Sequence, residues 1–271
     1  MPLPQKLDFS NEPVPLNNLL VQESLDKEIH TNVYWHSNTF FYLKRAARYF
    51  PIIEPILKEN GVPDDFKYLA VIESGLINAT SPSGAKGFWQ FMSKTATGYD
   101  LEISEDVDER NHLVKSTLAA CEYLKEGYKK FGSWTLAAAS YNMGKAGLES
   151  QLIKQQVSNY YDVLLNAETA RYVYRILAVK CIFESPQSYG FNFTSDDLYQ
   201  PFKTKVISVD STIVDLVEFA KMNQTNYKTL KVLNPWLIND KLEVKNGVVY
   251  QIEIPEKGTG LDVVSMDAYN K

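Results

Sequence analysis

The sequence is poor in the residues that staple, ligate or anchor a chain. It has two cysteines in 271 residues, Cys121 and Cys181, far apart and without metal-ligand spacing. Both fall in helix-like apolar runs, so buried free thiols are expected, with a disulfide as the alternative. The three histidines, His30, His36 and His112, are scattered and read as surface or helix-end residues. No metal or other cofactor is called for, and no Ser-His-Asp arrangement stands out. Basic excess is missing too: the net charge is −5 and no lysine or arginine cluster recurs, which argues against a nucleic-acid partner. No apolar run approaches the ~20 residues that span a bilayer. The opening "MPLPQKLDFSNEPVP" lacks a charged stretch followed by an apolar one. Two readings stay open, a cytoplasmic chain or an exported one whose leader is not among these residues. Internal repeats and low-complexity tracts are absent. Gly84 and Gly87 lack the strand context of a phosphate-cradling loop.

What is present is an ordinary globular composition, 45% hydrophobic and 23% charged. The length suits one large domain or a medium domain with a small one. Residues 1–15 read as an extended segment and 16–185 as helical. Pro63, Asp64 and Asp65 announce the helix of "DDFKYLAVIES". "NHLVKSTLAACEYLKEGYKKFG" repeats its apolar residues at helical spacing and stops at Gly132. "SWTLAAASYNMG" predicts a short buried helix, and "NAETARYVYRILAVKCIFES" an amphipathic one closed by Pro186. Residues 186–203 read as a linker. Then strand, helix, helix and strand follow one another over 204–256, a compact α+β module. Residues 257–271 read as a peripheral tail. The expected fold is mainly α: a helical domain followed by a small βααβ domain.

Chemistry gathers around "YLAVIESGLINATSPSGAKGFWQFM". On a helix, Phe66, Leu69, Ala70 and Glu73 share one stripe, so the carboxyl lies among apolar side chains. Burial there disfavours its charged form and raises its pKa, and a carboxyl that keeps its proton can act as a general acid. A solvated or ion-paired helix-end glutamate is the plain alternative. The turn after it holds two glycines, which let backbone approach a ligand closely. Phe88 and Trp89 offer flat faces for sugar rings, or else pack in the core. Gln90 offers an amide to a hydroxyl or acetamido group. In "SYNMG", the hydroxyl of Tyr141 needs a partner if buried, and the cleft carboxyl would serve. The acidic run "DLEISEDVDER" reads as a solvated connection. It lacks the spacing and central glycine of a calcium-binding EF-hand loop.

Three segments, "ESGLINATSPSGAKGFWQFM", "DERNHLVKSTLAACEYLKEGYKKFGSWTLAAASYNMG" and "ETARYVYRILA", stand in an order that resembles the lytic transglycosylases with the goose-type lysozyme fold, glycoside hydrolase family twenty-three. The likeness is closest to that family's membrane-bound D subgroup. "VISVDSTIVDLVEFAKMNQTNYKTLKVLNP" resembles a LysM peptidoglycan-binding module with a degenerate opening. The resemblance implies a lysozyme-like fold over 16–185 and a LysM-like domain over 204–256. It implies Glu73 as the single catalytic acid. Ser81, Gln90 and Met92 would line the saccharide site, Tyr141 and Asn142 would face the acid, and Glu168 would line the same cleft. Ser74 would be a local helix-end contact. The implied substrate is peptidoglycan, cut between N-acetylmuramic acid and N-acetylglucosamine to leave 1,6-anhydro ends. The implied location is the periplasm or cell envelope, with membrane association only through a lipid anchor on a missing leader. Oligomeric state is left open, with a monomer expected. A goose-type hydrolase would instead need a second carboxylate, from Glu168 or the acidic run. A non-catalytic wall-binding protein is the remaining alternative. The small domain is expected to act as a tether.

Overall fold

The computed structural model describes residues 1–261. The expected tail therefore falls, from residue 262 on, outside the described residues. Ten α-helices and two small sheets are found among them. A two-stranded hairpin, β1 (Asp8–Phe9) and β2 (Glu12–Pro13), comes first. Then follow α1 (Leu19–Tyr34), α2 (His36–Glu59), α3 (Lys67–Ser74), α4 (Ser93–Thr97), α5 (Leu113–Phe131), α6 (Trp134–Met143), α7 (Lys145–Gln155) and α8 (Ala167–Glu184). The small domain is β3 (Thr204–Val209), α9 (Leu216–Met222), α10 (Tyr227–Leu233) and β4 (Tyr250–Pro255). Its strands pair antiparallel, Thr204 opposite Pro255 and Val209 opposite Tyr250. This is the mainly α fold with a βααβ module that the patterning predicts. No described helix is long and apolar enough to cross a membrane.

The helical core forms where apolar stripes meet. From α3 come Leu69, Ala70 and Val71, from α6 Leu136 and Ala137–Ala139, and from α8 Val173, Ile176 and Leu177, all buried. The N-terminal segment is extended as expected, yet it is tied down. Phe9 is fully buried edge-on against Phe66. The Glu12 carboxylate accepts from the backbone N–H groups of Trp134 and Thr135 and from the hydroxyls of Ser133 and Thr135. An anion at a helix N-terminus is worth about 0.3–1 kcal/mol and more when partly buried. Glu12 therefore fixes the start of α6, whose far end carries Tyr141 and Asn142. Cys121 and Cys181 are both buried free thiols. Burial pushes them up to about 12 and about 11, so neither is a ready nucleophile.

The acidic run departs from expectation. It is not a solvated connection but the seat of the small domain. Asp106, Asp108 and Glu109 are buried. Asp106 accepts from the Asn239 amide at 2.9 Å and from the Glu243 N–H at 3.0 Å. Val107 bridges to Leu237 and sits in the small domain's own apolar cluster with Trp236 and Tyr250. Asp108 N–H donates to the Trp236 carbonyl at 2.8 Å. Tyr250 donates to Glu102 at 2.8 Å. A charge cluster is solvated unless partners come from elsewhere in the chain. Asp106 finds them in Asn239 and Glu243 of the small domain, while Asp108 is paired with Lys86 and Arg110 and Glu109 with Lys115. His112 caps α5, as a helix-end residue should. It also stacks on Trp236 at 5.7 Å, and burial lowers its pKa to about 4, so it stays neutral across the physiological range.

Candidate active site

Glu73 occupies the last turn of α3. The helix ends because Gly75 takes the left-handed conformation, φ 62°, and donates back to the Val71 carbonyl at 2.8 Å. A Cβ there would meet the Tyr42 ring at 2.6 Å, so the glycine also admits α2. Ser74 does what a helix-end serine does: its Oγ donates to Ala70 O at 3.1 Å and accepts from Leu76 N–H at 3.1 Å. The Glu73 carboxyl is left half-buried on the apolar stripe. Desolvation raises its pKa. The Tyr172 hydroxyl donates to it, which pulls the other way, as does the Arg175 charge, while Glu168 adds a further upward push. Burial wins, and the group holds its proton above the ordinary value of 4.5.

Tyr172 was not singled out by the sequence, and Tyr141, whose pKa burial and the nearby Glu73 charge both raise, finds another hydrogen-bond partner than the acid. Tyr141 donates to the Trp89 carbonyl at 2.8 Å, not to the acid. Both tyrosines come from apolar helical runs; Tyr172 is buried and Tyr141 partly buried. Tyr172 follows Glu168 by four residues in "ETARYV", so one face of α8 presents an acid and then a hydroxyl toward α3. That spacing is the signal that could have found it. Asn142 donates to Glu168 at 2.9 Å and accepts from Thr169 at 2.7 Å, which ties the end of α6 to the start of α8.

The loop from Ala79 to Met92 is a frame of backbone bonds. Ser81 closes its tip, with Ser81 N–H donating to Ala85 O at 2.8 Å and Ala85 N–H to Ser81 Oγ at 3.0 Å. Gln90 sits at φ 49°, and its amide nitrogen donates to Ala79 O at 3.0 Å and Gly87 O at 2.8 Å. That nitrogen braces the loop, so it is not offered to a substrate. Met92 is 46% exposed at the frame's edge. Phe88 and Trp89 pack in the core: Trp89 is fully buried and donates from Nε1 to Thr117 at 2.9 Å. They are not sugar platforms, because both rings point away from solvent. Gly87 does permit a close approach, but to protein rather than ligand. A Cβ there would lie 1.8 Å from Arg110 O. Arg110 in turn donates to Gly84 O at 3.0 Å and Phe91 O at 3.3 Å and grips Asp108 through two bonds. The structure thus brings Glu73, Asn142, Glu168 and Tyr172 together around the helix ends. Ser81, Gln90 and Met92 belong to the braced loop beside them. Among the described residues no group of three or more His, Cys, Asp or Glu is set to hold a metal ion.

A first test concerns the Tyr172 hydroxyl. A hydrogen bond to a charged group contributes about 1.5–3 kcal/mol, and one pKa unit is about 1.4 kcal/mol. Tyr172→Phe removes a bond that favours the carboxylate, so the pKa of Glu73 rises further. If a protonated Glu73 is the working form, the alkaline limb of the activity profile shifts up by about one pH unit. An unshifted limb, measured on purified variant protein, would show that the hydroxyl does not tune the acid.

Two stretches match known families. Residues 50–164 match the family described as Transglycosylase SLT domain. Residues 205–258 match the soluble lytic transglycosylase C-terminal LysM-like domain. The chain is similar to the membrane-bound lytic murein transglycosylase D of Escherichia coli strain K12, 26% identical over 215 residues, which are 77% of this chain and 47% of that protein. The same figures hold for its counterpart in Escherichia coli O6:H1. The chain therefore spans about half the length of these relatives. Among solved structures it is similar to a lytic transglycosylase Slt of Pseudomonas aeruginosa, an inactive mutant, at 18% identity and a TM-score of 0.42 over 56% of this chain and 26% of that one.

Proposed function

We propose, from the premise that the chain carries a transglycosylase SLT domain followed by a C-terminal LysM-like domain, that it is a peptidoglycan lytic transglycosylase with Glu73 as its one general acid and base. The observation that carries this reading is the half-buried Glu73 carboxyl, held by Tyr172 and with its pKa raised by desolvation. In that state it protonates the oxygen that links N-acetylmuramic acid to N-acetylglucosamine. The acetamido oxygen of the substrate stabilises the cationic centre that develops. Glu73, now a carboxylate, takes the proton of the C6 hydroxyl, which closes on the anomeric carbon. The ring closure needs no water and no second protein carboxylate. Ser81, Gln90 and Tyr141 act by bracing the loop and the helix end that shape the cleft. Asn142 and Glu168 line its rim.

The buried acidic run favours this over a goose-type hydrolase. Of the run's acids that could hold a water, Asp106 and Glu102 accept from the small domain, Asp108 from Arg110 and Lys86, and Glu109 from the Glu102 N–H, while Asp100 and Glu105 are exposed. Glu168 alone stands near the acid, and one of its oxygens accepts from Asn142. With peptidoglycan strands as substrate, the protein would work in the periplasm or cell envelope. Mass spectrometry of the released muropeptides tests the reading: 1,6-anhydro ends are expected, and reducing ends in their place would assign a hydrolase.

A further inference from the structure

A groove of about 280 Å³ opens off the helix end that carries Glu73, and of its lining the mechanism above uses only Glu168, on the cleft rim. Ile72, Glu168, Arg171 and Arg175 form one wall, from α3 and α8, and Trp35 and Tyr42 another, from the corner between α1 and α2. Trp35 is 61% exposed at the break between those helices. Arg171 is already matched, gripping the buried Glu28 carboxylate through Nε at 2.6 Å and Nη2 at 3.0 Å. Arg175 is different. Its Nη2 donates to Ile72 O at 2.7 Å, and among the described residues it makes no ion pair within 4.0 Å. Arg45 and Arg48 likewise hydrogen-bond only to backbone carbonyls and make no ion pair among the described residues, but Arg175 is the one of these three that lines the groove. Glu168 shares the wall, but its Oε1 is turned to Asn142. A guanidinium with open N–H edges binds a carboxylate strongly and directionally, and a flat indole holds the apolar part of whatever carries it.

We propose that this groove is a subsite for a carboxylate-bearing substituent of the glycan strand, with Arg175 receiving the carboxylate and Trp35 supporting the group that bears it. The proposal rests on the transglycosylase reading for the identity of the strand. A muramyl residue presents a carboxylate from one of two sources, its own lactyl group or the peptide joined there. Recognition at this groove ties cleavage to muramyl units and sets them apart from plain N-acetylglucosamine polymers.

Binding is best measured in Glu73→Gln protein. Turnover is then stopped, and the effect of the Arg175 charge on the acid no longer matters. Three probes of equal length separate the sources: peptide-bearing strands, amidase-stripped strands with free lactyl groups, and neutral N-acetylglucosamine oligomers. Adding Arg175→Gln is expected to weaken the carboxylate-bearing probes about tenfold or more, the range of a charge-assisted bond. The neutral oligomers should be unchanged, and Arg175→Lys should restore part of the loss. Loss confined to peptide-bearing strands assigns the peptide carboxylates. Loss confined to amidase-stripped strands assigns the lactyl carboxylate, which is an amide while the peptide is attached, and loss on both shows that the groove receives either. Equal loss on all three probes, no loss on any, or no binding of the anionic probes at the start overturns the proposal. Product analysis of the unmodified enzyme is a separate readout. Absence of anhydro ends there sinks the transglycosylase reading but leaves an Arg175-dependent subsite standing.

Discussion

Glu73→Gln is expected to lower cleavage of purified sacculi by at least about 10³-fold, toward the upper end of what a general acid contributes, because one group serves both proton transfers. The same change is expected to stabilise the fold at neutral pH. Desolvation raises the pKa of Glu73 above its ordinary value of 4.5, so the folded protein binds this proton more tightly than the unfolded chain does. Below that value both states are protonated and the group costs nothing. As pH climbs through the raised folded value, the buried carboxylate becomes a growing penalty. Glutamine has the same shape, stays neutral and still accepts from Tyr172. The variant should therefore match the parent near pH 4 and exceed it at pH 7–8, with about 2–4 °C in Tm for each kcal/mol in a chain of this size. Turbidity clearance and thermal melts at both pH values check the two halves together. Retained clearance removes Glu73 from the mechanism. A variant that melts lower at neutral pH contradicts the buried, proton-holding carboxyl.

Gly87→Ala is expected to be the most damaging small substitution in the site, and Gly84→Ala its control. The two glycines have nearly the same backbone, φ 82° and φ 85°, so the intrinsic cost of adding a Cβ is alike at both, about 1–2 kcal/mol. Their surroundings differ. Nothing lies within 4 Å of a Cβ on Gly84, whereas one on Gly87 would stand 1.8 Å from Arg110 O and 2.7 Å from its carbonyl carbon. Those are backbone atoms and cannot rotate away. The 3-10 turn Glu109–Asn111 would have to move with Asp108 before it, and that segment is held on its other side by Trp236 and by the Arg110–Asp108 pair. Gly84→Ala should keep near-parental activity. Gly87→Ala should lose a further ~3 kcal/mol or more of stability, in the range of severe core damage, and most of its kcat. Denaturant melts and initial rates on short soluble strands measure both. Equal behaviour of the two variants would mean that the close contact is not a constraint.

The contacts behind that prediction also change the role of the small domain. It is docked on the segment that supports the loop from Ala79 to Met92, through Asp106, Val107 and Asp108. A tether that swings freely would make no such seat. The contacts hold the module in one orientation and brace the loop from Ala79 to Met92 through Arg110.

The sequence by itself determined what periodicity and local chemistry control. Apolar stripes placed the helices, glycine placed the ends of α3 and α5, and strand–helix–helix–strand patterning placed the βααβ module. The same stripe logic put Glu73 among apolar neighbours, since a side chain seven residues from Phe66 must share its face. Only the tertiary structure decided partners. Tyr172 rather than Tyr141 meets the acid, Gly87 meets the Arg110 backbone, and an acidic run that looked solvated became a buried seat. Each of these pairs joins residues 23 to 148 positions apart in the chain. A window of sequence reports the face on which a side chain lies and its preference for water, but the group that satisfies it arrives from another element, fixed by packing.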